Sequence, residues 1–140
     1  MRYILDASVA LKWVLDEPDS AHALMLRIEY GAGIHELIAP DIFPVEIAHA
    51  LSKGFRQGKL SEEEADAHLA SLLLALPQLV PSFDLLAQAF EISQQTRTGV
   101  YDALYLAVGE KEQLTVLTAD RKLAKLPYKI IDISQHPYAS

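Results

Sequence analysis

The chain alternates short apolar runs with longer segments in which apolar residues recur every three or four positions. The short runs are largely apolar on both faces, which is typical of strands buried in a parallel sheet. They predict strands over Tyr3–Leu5, Leu37–Ala39, Leu79–Pro81, Leu114–Thr118 and Lys129–Ile133. The longer segments predict helices over Ala7–Leu15, Ala21–Glu29, Phe43–Gln57, 62–76, Phe83–Thr96, Tyr101–Glu112 and Ala119–Leu126. Strands that alternate with helices predict an α/β fold with a central, mostly parallel sheet.

The start of the fourth helix carries the clearest local signal. Ser61 and Glu64 have the spacing of a capping box, in which each side chain accepts a hydrogen bond from the backbone amide of the other residue.

Length and composition then narrow the class of protein. With 140 residues, of which 51% are hydrophobic, the chain is expected to form one domain with a sizeable core. The absence of cysteine excludes a disulfide framework, a thiolate zinc site and a thiol nucleophile. The apolar runs are too short, or too interrupted, for a signal sequence or a membrane span. We therefore expect a cytoplasmic protein with no membrane partner.

The net charge at first argues against a nucleic-acid partner. The formal charge is −7, and phosphate binding depends on cations. However, residues 1–70 carry 12 acids and 6 bases, whereas residues 71–140 carry 7 acids and 6 bases. The second half is thus nearly neutral, and the position of the acids matters as much as their number.

Four carboxylates follow predicted strands or open predicted helices. Asp6 directly follows the first strand and Asp120 comes just after Thr118, at the strand ends where α/β sheets bind ligands. Glu46 and Asp102 lie in the first turns of helices. Taken singly, each acid is explained as a helix cap or as a partner of the helix dipole. The apolar neighbours of Glu46 and Asp102 argue otherwise, because buried acids are rare unless they are paired, protonated or metal-bound.

If these side chains converge, their shared chemistry follows. Clustered carboxylates repel one another, so some must bind a proton or a cation. Oxygen ligands without cysteine favour Mg²⁺ or Mn²⁺. A divalent ion at the mouth of an α/β sheet suits phosphodiester hydrolysis, because it polarises the phosphate and activates water. The ion also inverts the local charge, so an acidic cavity can hold an anion.

Four segments, taken in order, resemble the PIN domain family, and more narrowly the VapC-type toxins of toxin–antitoxin pairs. The segments are Ile4–Val9, Ala39–Leu51, Val100–Ala107 and Leu117–Leu123. The resemblance implies a three-layer α/β/α fold with about five parallel strands, within the usual range for a sheet, formed by residues 1–140 as one domain. It also implies Mg²⁺- or Mn²⁺-dependent cleavage of RNA, a homodimer, and a cognate antitoxin as protein partner.

The resemblance assigns roles to the same acids. Asp6 and Asp102 are expected to ligate the metal directly, and Glu46 and Asp120 to bind a second ion or to orient the attacking water. In-line attack by water would leave 5′-phosphate and 3′-hydroxyl ends.

Two hydroxyls accompany these acids. Ser8, two residues after the first acid, is expected to fix the Asp6 carboxylate or a water on the ion. The alternative for Ser8 is a hydroxyl at a helix start. Thr118 occupies a hydroxyl position that is often seen before the fourth acid of the family.

Positively charged residues offer candidate RNA contacts. Arg121, Lys122 and Lys125 follow the fourth acid and could contact phosphates, with a solvated helix face as the alternative. Lys12 could also reach the site. The cations of the Phe43–Gln57 helix and the turn after it are interpreted as solvated; these are Lys53, Arg56 and Lys59.

Aromatic and histidine residues have simpler interpretations. Tyr101 and Tyr105 are four positions apart on one helix, which favours core packing over base stacking. The histidines lack metal-binding spacing and are interpreted as structural or surface residues; they are His22, His35, His49, His68 and His136.

Other functions remain as alternatives. A haloacid-dehalogenase-type phosphotransferase also places an aspartate after its first strand, but it needs a second aspartate where this chain has Ser8. A receiver domain needs an adjacent acidic pair at the first strand, where Leu5-Asp6 supplies one acid. A non-catalytic PIN-like binding module would have the same fold with a silent site.

Overall fold

A parallel sheet forms the centre of the computed structural model, which describes residues 1–136. Its five strands are β1 (Arg2–Leu5), β2 (Glu36–Pro40), β3 (Gln78–Val80), β4 (Thr115–Thr118) and β5 (Ile130–Asp132). They lie in the order β3-β2-β1-β4-β5, with every neighbouring pair parallel. The central position of β1 places Ile4 between Ile38 and Val116.

Helices cover both faces of this sheet. Ile4 and Leu5 on β1, and Val116 and Leu117 on β4, are neighbours in sequence and all buried. Successive strand residues point to opposite faces, so both faces must be covered, as expected for an α/β/α arrangement. The helices are α1 (Ala7–Leu11), α2 (Ser20–Gly31), α3 (Phe43–Arg56), α4 (Glu62–Leu73), α5 (Leu86–Thr96), α6 (Val100–Glu112) and α7 (Arg121–Ala124). The α/β prediction is confirmed.

Four helices are at least three residues shorter than their sequence periodicity predicts. Helix α5 begins at Leu86 rather than at Phe83, because Phe83–Leu85 form a 3-10 turn. Helix α1 stops at Leu11 instead of Leu15, since the next amides bond three residues back, as between Lys12 N and Val9 O at 3.1 Å. Helix α4 ends at Leu73 rather than at position 76. Helix α7 spans four residues rather than Ala119–Leu126, and the amides that follow it also bond three residues back. In α1 and α7 the apolar pattern continues into tightened turns, which periodicity does not distinguish from a helix.

The predicted capping box is present at the start of α4. Ser61 Oγ accepts a hydrogen bond from Glu64 N at 3.0 Å, and Glu64 Oε1 accepts one from Ser61 N at 2.9 Å.

Helix α6 is the most deeply buried helix segment, with every residue from Ala103 to Gly109 buried. A Cβ on Gly109 would lie 3.0 Å from Val116 Cγ2, so the glycine lets α6 approach β4 closely. The chain leaves α6 and enters β4, so the C-terminal end of α6 lies near the start of that strand. Its first turn, with Asp102, is therefore at the opposite edge of the sheet, where the strands end.

A buried polar cluster lies at the start of the strands. His35 Nε2 is 2.8 Å from Glu29 Oε1, and Tyr3 packs edge-on against both His35 and His136. The structural interpretation of the histidines fits these two residues, which are buried.

Within residues 1–136, no helix is both long and apolar enough to cross a membrane.

Candidate functional site

The four predicted carboxylates line one cavity, of about 600 Å³, at the edge of the sheet where the strands end. We call it the carboxylate cavity; its acids are Asp6, Glu46, Asp102 and Asp120. From β1 the chain builds β2 and β3 on one side and later β4 and β5 on the other. The carboxyl ends of β1 and β4 therefore flank the point where the strand order reverses, which is the usual ligand site of open α/β sheets.

Asp6 is held by two hydroxyls, one from the first turn of α1 and one from the end of β4. Its Oδ2 accepts hydrogen bonds from Ser8 Oγ and from Thr118 Oγ1, the latter at 2.9 Å. Ser8 Oγ in turn accepts the amide of Ala119 at 2.9 Å, and Thr118 Oγ1 accepts the amide of Asp120 at 3.0 Å. Each hydroxyl thus has its donor and acceptor roles defined, which fixes the orientation of the buried Asp6 carboxylate.

Glu46 is held by a tyrosine from another helix. Tyr105, buried in the middle of α6, donates its hydroxyl to Glu46 Oε1 at 2.7 Å. Glu46 itself is half-buried in the first turn of α3. This bond joins α3 to α6 at the wall of the carboxylate cavity and orients the Glu46 carboxylate.

Asp120 and Asp102 complete the cavity from two helix starts. Asp120 caps α7, because its Oδ1 accepts the amides of Lys122 and Leu123 at 2.9 and 3.3 Å. The cap interpretation thus holds for Asp120, which still lines the cavity. Asp102 is half-buried in the first turn of α6, whose N-cap is Gly99.

Burial and mutual repulsion raise the pKa values of three of these acids. Burial is the main cause for Asp6, whose pKa rises to about 6, with the charges of Asp102 and Asp120 adding to it. Burial, and then the charges of Asp6 and Asp102, raise the pKa of Glu46 to about 7. The pKa of Asp102 is raised by burial and by Asp120. The cavity therefore favours protonated acids or a bound cation.

The donor set fits a hard divalent ion with part of its coordination left to water. Among residues 1–136, no three His, Asp or Glu side chains form a ready-made metal site. Mg²⁺ is commonly held by one or two carboxylates and keeps several of its waters. Four carboxylates that border one cavity, with the pKa values of Asp6, Glu46 and Asp102 raised, are compatible with that mode of binding.

Of the positively charged residues predicted to contact RNA, one lies beside the carboxylate cavity and three lie away from it. Lys12 borders a second cavity that adjoins the carboxylate cavity. Arg121, Lys122 and Lys125 are exposed, and for the part of the chain that the structure describes they line neither of these cavities.

The prediction that both tyrosines of α6 pack in the core is wrong for Tyr101 and incomplete for Tyr105. Tyr101 is 64% exposed and lines the carboxylate cavity from the first turn of α6, next to Asp102. Tyr105 packs in the core as predicted, but its hydroxyl also binds Glu46. The sequence does contain a signal for this bond. A tyrosine in an apolar helix buries a hydroxyl that needs a hydrogen-bond partner, and Tyr105 lies one turn after the candidate acid Asp102.

The fold and this acidic cavity define an α/β domain of the PIN type, and sequence comparison agrees. The family model described as PIN domain matches residues 3–128, so the chain belongs to the PIN domain family. It is 33% identical over 127 residues to Ribonuclease VapC3 of Pyrobaculum aerophilum, which covers 89% of this chain and 94% of that protein.

Two solved structures share the fold. PAE2754 from Pyrobaculum aerophilum superposes with a TM-score of 0.72 at 23% identity, covering 96% of this chain and 93% of that one. VapC20 of Mycobacterium tuberculosis, described as a sarcin-ricin loop cleaving toxin, superposes with a TM-score of 0.65 at 16% identity. That match covers 90% of this chain and 95% of VapC20.

Proposed function

We propose that the chain is an endoribonuclease that hydrolyses RNA phosphodiesters and acts as the toxin of a toxin–antitoxin pair. The convergence of four acids on one cavity carries the proposal. The 33% identity to a ribonuclease, over 94% of that protein, supports it. The toxin role rests on the resemblance to VapC-type toxins.

The activity is proposed to depend on Mg²⁺ or Mn²⁺, with Asp6 and Asp102 as direct ligands. Glu46 and Asp120 would bind a second ion or orient the attacking water. When bound, the ion would supply positive charge for the phosphate and acidify water. It would also relieve the repulsion that adds to burial in raising the pKa values of Asp6 and Glu46.

The remaining groups act by holding these acids in place. Ser8 and Thr118 keep Asp6 Oδ2 in one orientation, so that the carboxylate need not be ordered when substrate arrives. Tyr105 does the same for Glu46. Held by this bond at the edge of the carboxylate cavity, Glu46 would orient the attacking water. The products would carry 5′-phosphate and 3′-hydroxyl ends.

The proposed partners are a cognate antitoxin and a second copy of the chain, in the cytoplasm. Large apolar side chains are exposed on several helices, which is typical of protein interfaces. Among them are Ile28 on α2, Val45 on α3 and Phe90 on α5. A monomer in light scattering at micromolar concentration would contradict the homodimer.

The direct test is cleavage of a mixture of RNAs by the purified protein in Mn²⁺ or in EDTA. The wild type should cut RNA only with the ion, and Asp6→Asn should remove that activity. Asp84→Asn is the matched control, because Asp84 is an exposed aspartate that does not line the carboxylate cavity. Equal RNA decay by wild type and Asp6→Asn, each shown to be folded by circular dichroism, would leave a non-catalytic binding module as the better description.

A further inference from the structure

A second cavity opens directly from the carboxylate cavity and is lined by lysines. Its volume is about 540 Å³, and Ser8, Ala50, Lys53 and Asp120 line both cavities. We call it the lysine groove, after its three cations, Lys12, Lys53 and Lys59.

We propose that the lysine groove binds the sugar–phosphate backbone of the RNA on one side of the scissile bond. This inference rests on the proposed ribonuclease function and names the path of its substrate. It assigns phosphate contacts to Lys53 and Lys59, which the sequence pattern alone indicates as solvated, and it places the strand away from α7.

One side of the groove is a single face of α3 that begins in the carboxylate cavity. Glu46, Ala50, Lys53 and Gln57 follow one another at intervals of three or four residues, so they share a helix face. Lys53 stands seven residues after Glu46, about 10 Å along the helix axis. At the stacked rise of 3.4 Å per nucleotide, that distance spans roughly three nucleotides. A strand cut beside Glu46 can therefore reach Lys53.

The turn after α3 brings Lys59 to the same groove. Gly58 has φ +74°, which reverses the chain, and the amides of Lys59 and Leu60 donate to Gly54 O at 2.9 and 3.2 Å. A Cβ on Gly54 would lie 3.0 Å from Leu60 Cδ1, so the turn packs onto α3 because position 54 has no side chain. This defined turn holds the backbone of Lys59 in place.

The opposite side of the groove holds a lysine that is already positioned. The side chain of Lys12 is only 12% exposed, and its Nζ donates to Pro18 O at 2.7 Å. Glu17 Oε1 lies 3.8 Å from the same nitrogen. In contrast, Lys53 and Lys59 form no ion pair with any residue in 1–136, so both ammonium groups are available to phosphates.

The local charge of the lysine groove explains how a protein with a negative net charge can bind RNA. Besides Asp120, which belongs to the carboxylate cavity, Glu17 is the one acid among its described lining residues. Three lysines therefore face a single additional carboxylate there. A strand that leaves the carboxylate cavity past Lys53 moves away from the acids, whose charge a bound ion would neutralise, and towards positive charge.

The test measures the salt dependence of RNA binding, with a labelled single-stranded RNA of about 12 nucleotides, within the usual site sizes. Fluorescence anisotropy in EDTA follows binding, and a gel verifies that the probe stays intact. Removing two phosphate contacts with Lys53→Gln/Lys59→Gln should make the slope of log K against log salt shallower by about 1.4. If wild type and variant converge at 1 M salt, that change is about 25-fold weaker binding at 0.1 M.

Three comparisons make the result specific. Lys53→Arg/Lys59→Arg should retain the wild-type slope, because charge rather than shape is what phosphates require. Arg56→Gln, an exposed cation of α3 that does not line the groove, should leave the slope unchanged. Arg121→Gln/Lys122→Gln removes the same charge from α7 and should change the slope by much less.

Two outcomes overturn the proposal. One is an unchanged slope in Lys53→Gln/Lys59→Gln. The other is an equal or larger change in Arg121→Gln/Lys122→Gln, which would place the strand on α7.

Cleavage assays in Mn²⁺ separate this result from the proposed function. If the wild type cuts no RNA, the ribonuclease proposal fails and the binding slopes still decide the groove. If it cuts, the groove variant should have a raised KM with little change in kcat.

Discussion

The hydrogen bond between Tyr105 and Glu46 offers a sharp test of the site. Tyr105→Phe removes one buried hydroxyl and leaves the ring, so α6 should keep its packing against the sheet. A hydroxyl that donates to a carboxylate favours its charged form. Its loss should therefore raise the pKa of Glu46 above its present value of about 7.

The size of that effect can be worked out from the geometry. A hydrogen bond to a charged group contributes about 1.5–3 kcal/mol, and 1.36 kcal/mol corresponds to one pKa unit. Glu46 is only half-buried, so water would replace part of the lost bond. We expect its pKa to rise by about one unit.

Two measurements would detect the change. A carbon-13 NMR titration of the metal-free protein, with the Glu46 signal assigned from Glu46→Gln, should show the higher midpoint directly. The acidic limb of the pH–rate profile for RNA cleavage should move in the same direction.

Tyr30→Phe is the matched control, because it removes a hydroxyl that donates to Leu76 O at 2.7 Å, away from the cavity. It should lower the free energy of unfolding without moving either midpoint. A Glu46 midpoint that stays at its wild-type pH in Tyr105→Phe would refute this reasoning.

Further expectations follow from the same contacts. Thr118→Val keeps the side-chain shape but removes a donor to Asp6, so kcat for RNA cleavage should fall by about 10- to 100-fold; wild-type kcat in the variant would contradict this role. Raised pKa values of Asp6 and Glu46 mean that protons compete with the ion, so Mn²⁺ should raise the melting temperature more at about pH 8 than at about pH 5.5. Without metal, stability should instead fall with rising pH, because acids with raised folded-state pKa values lose stabilisation from about pH 4 to about pH 7. Melting temperatures measured in EDTA across that range would show this. Burial lowers the pKa of His136, so its contribution to stability should be lost as pH falls below about 6.5. The melting temperature of His136→Phe should then depend less steeply on pH over that range, and equally steep curves would exclude the histidine as the cause.

The sequence predicted the acids of the site from two different kinds of information. Asp6 and Asp120 follow from physical rules alone, since each comes after an apolar strand and parallel strands end at one edge of a sheet. Glu46 and Asp102 were ambiguous as helix-start acids, and their place beside the others came from the resemblance to a family. Their convergence depends on α3 and α6 crossing the same edge, which is a tertiary fact.

The parts that the sequence missed depend on contacts between distant residues. Tyr105 lies 59 positions from Glu46, and no local pattern couples the two. Lys59 reaches the groove because Gly58 reverses the chain onto Gly54, so its position depends on packing against Leu60. The apolar pattern predicts the end of α1 four residues too late, because an apolar tightened turn has nearly the same spacing as a helix.

The central position of β1 also determines how the two sides of the carboxylate cavity open. Asp6 continues the most internal strand, and its amide donates to Leu117 O at 3.0 Å. Asp120 instead caps a helix of four residues whose cations are exposed. In native-state hydrogen exchange, buried central strands open only with the whole domain, whereas short peripheral elements open locally. The Asp6 amide should therefore exchange at the rate of global unfolding, while the amides of Lys122 and Leu123 exchange far sooner. One side of the cavity would then stay fixed while the other opens and closes many times within the lifetime of the folded protein.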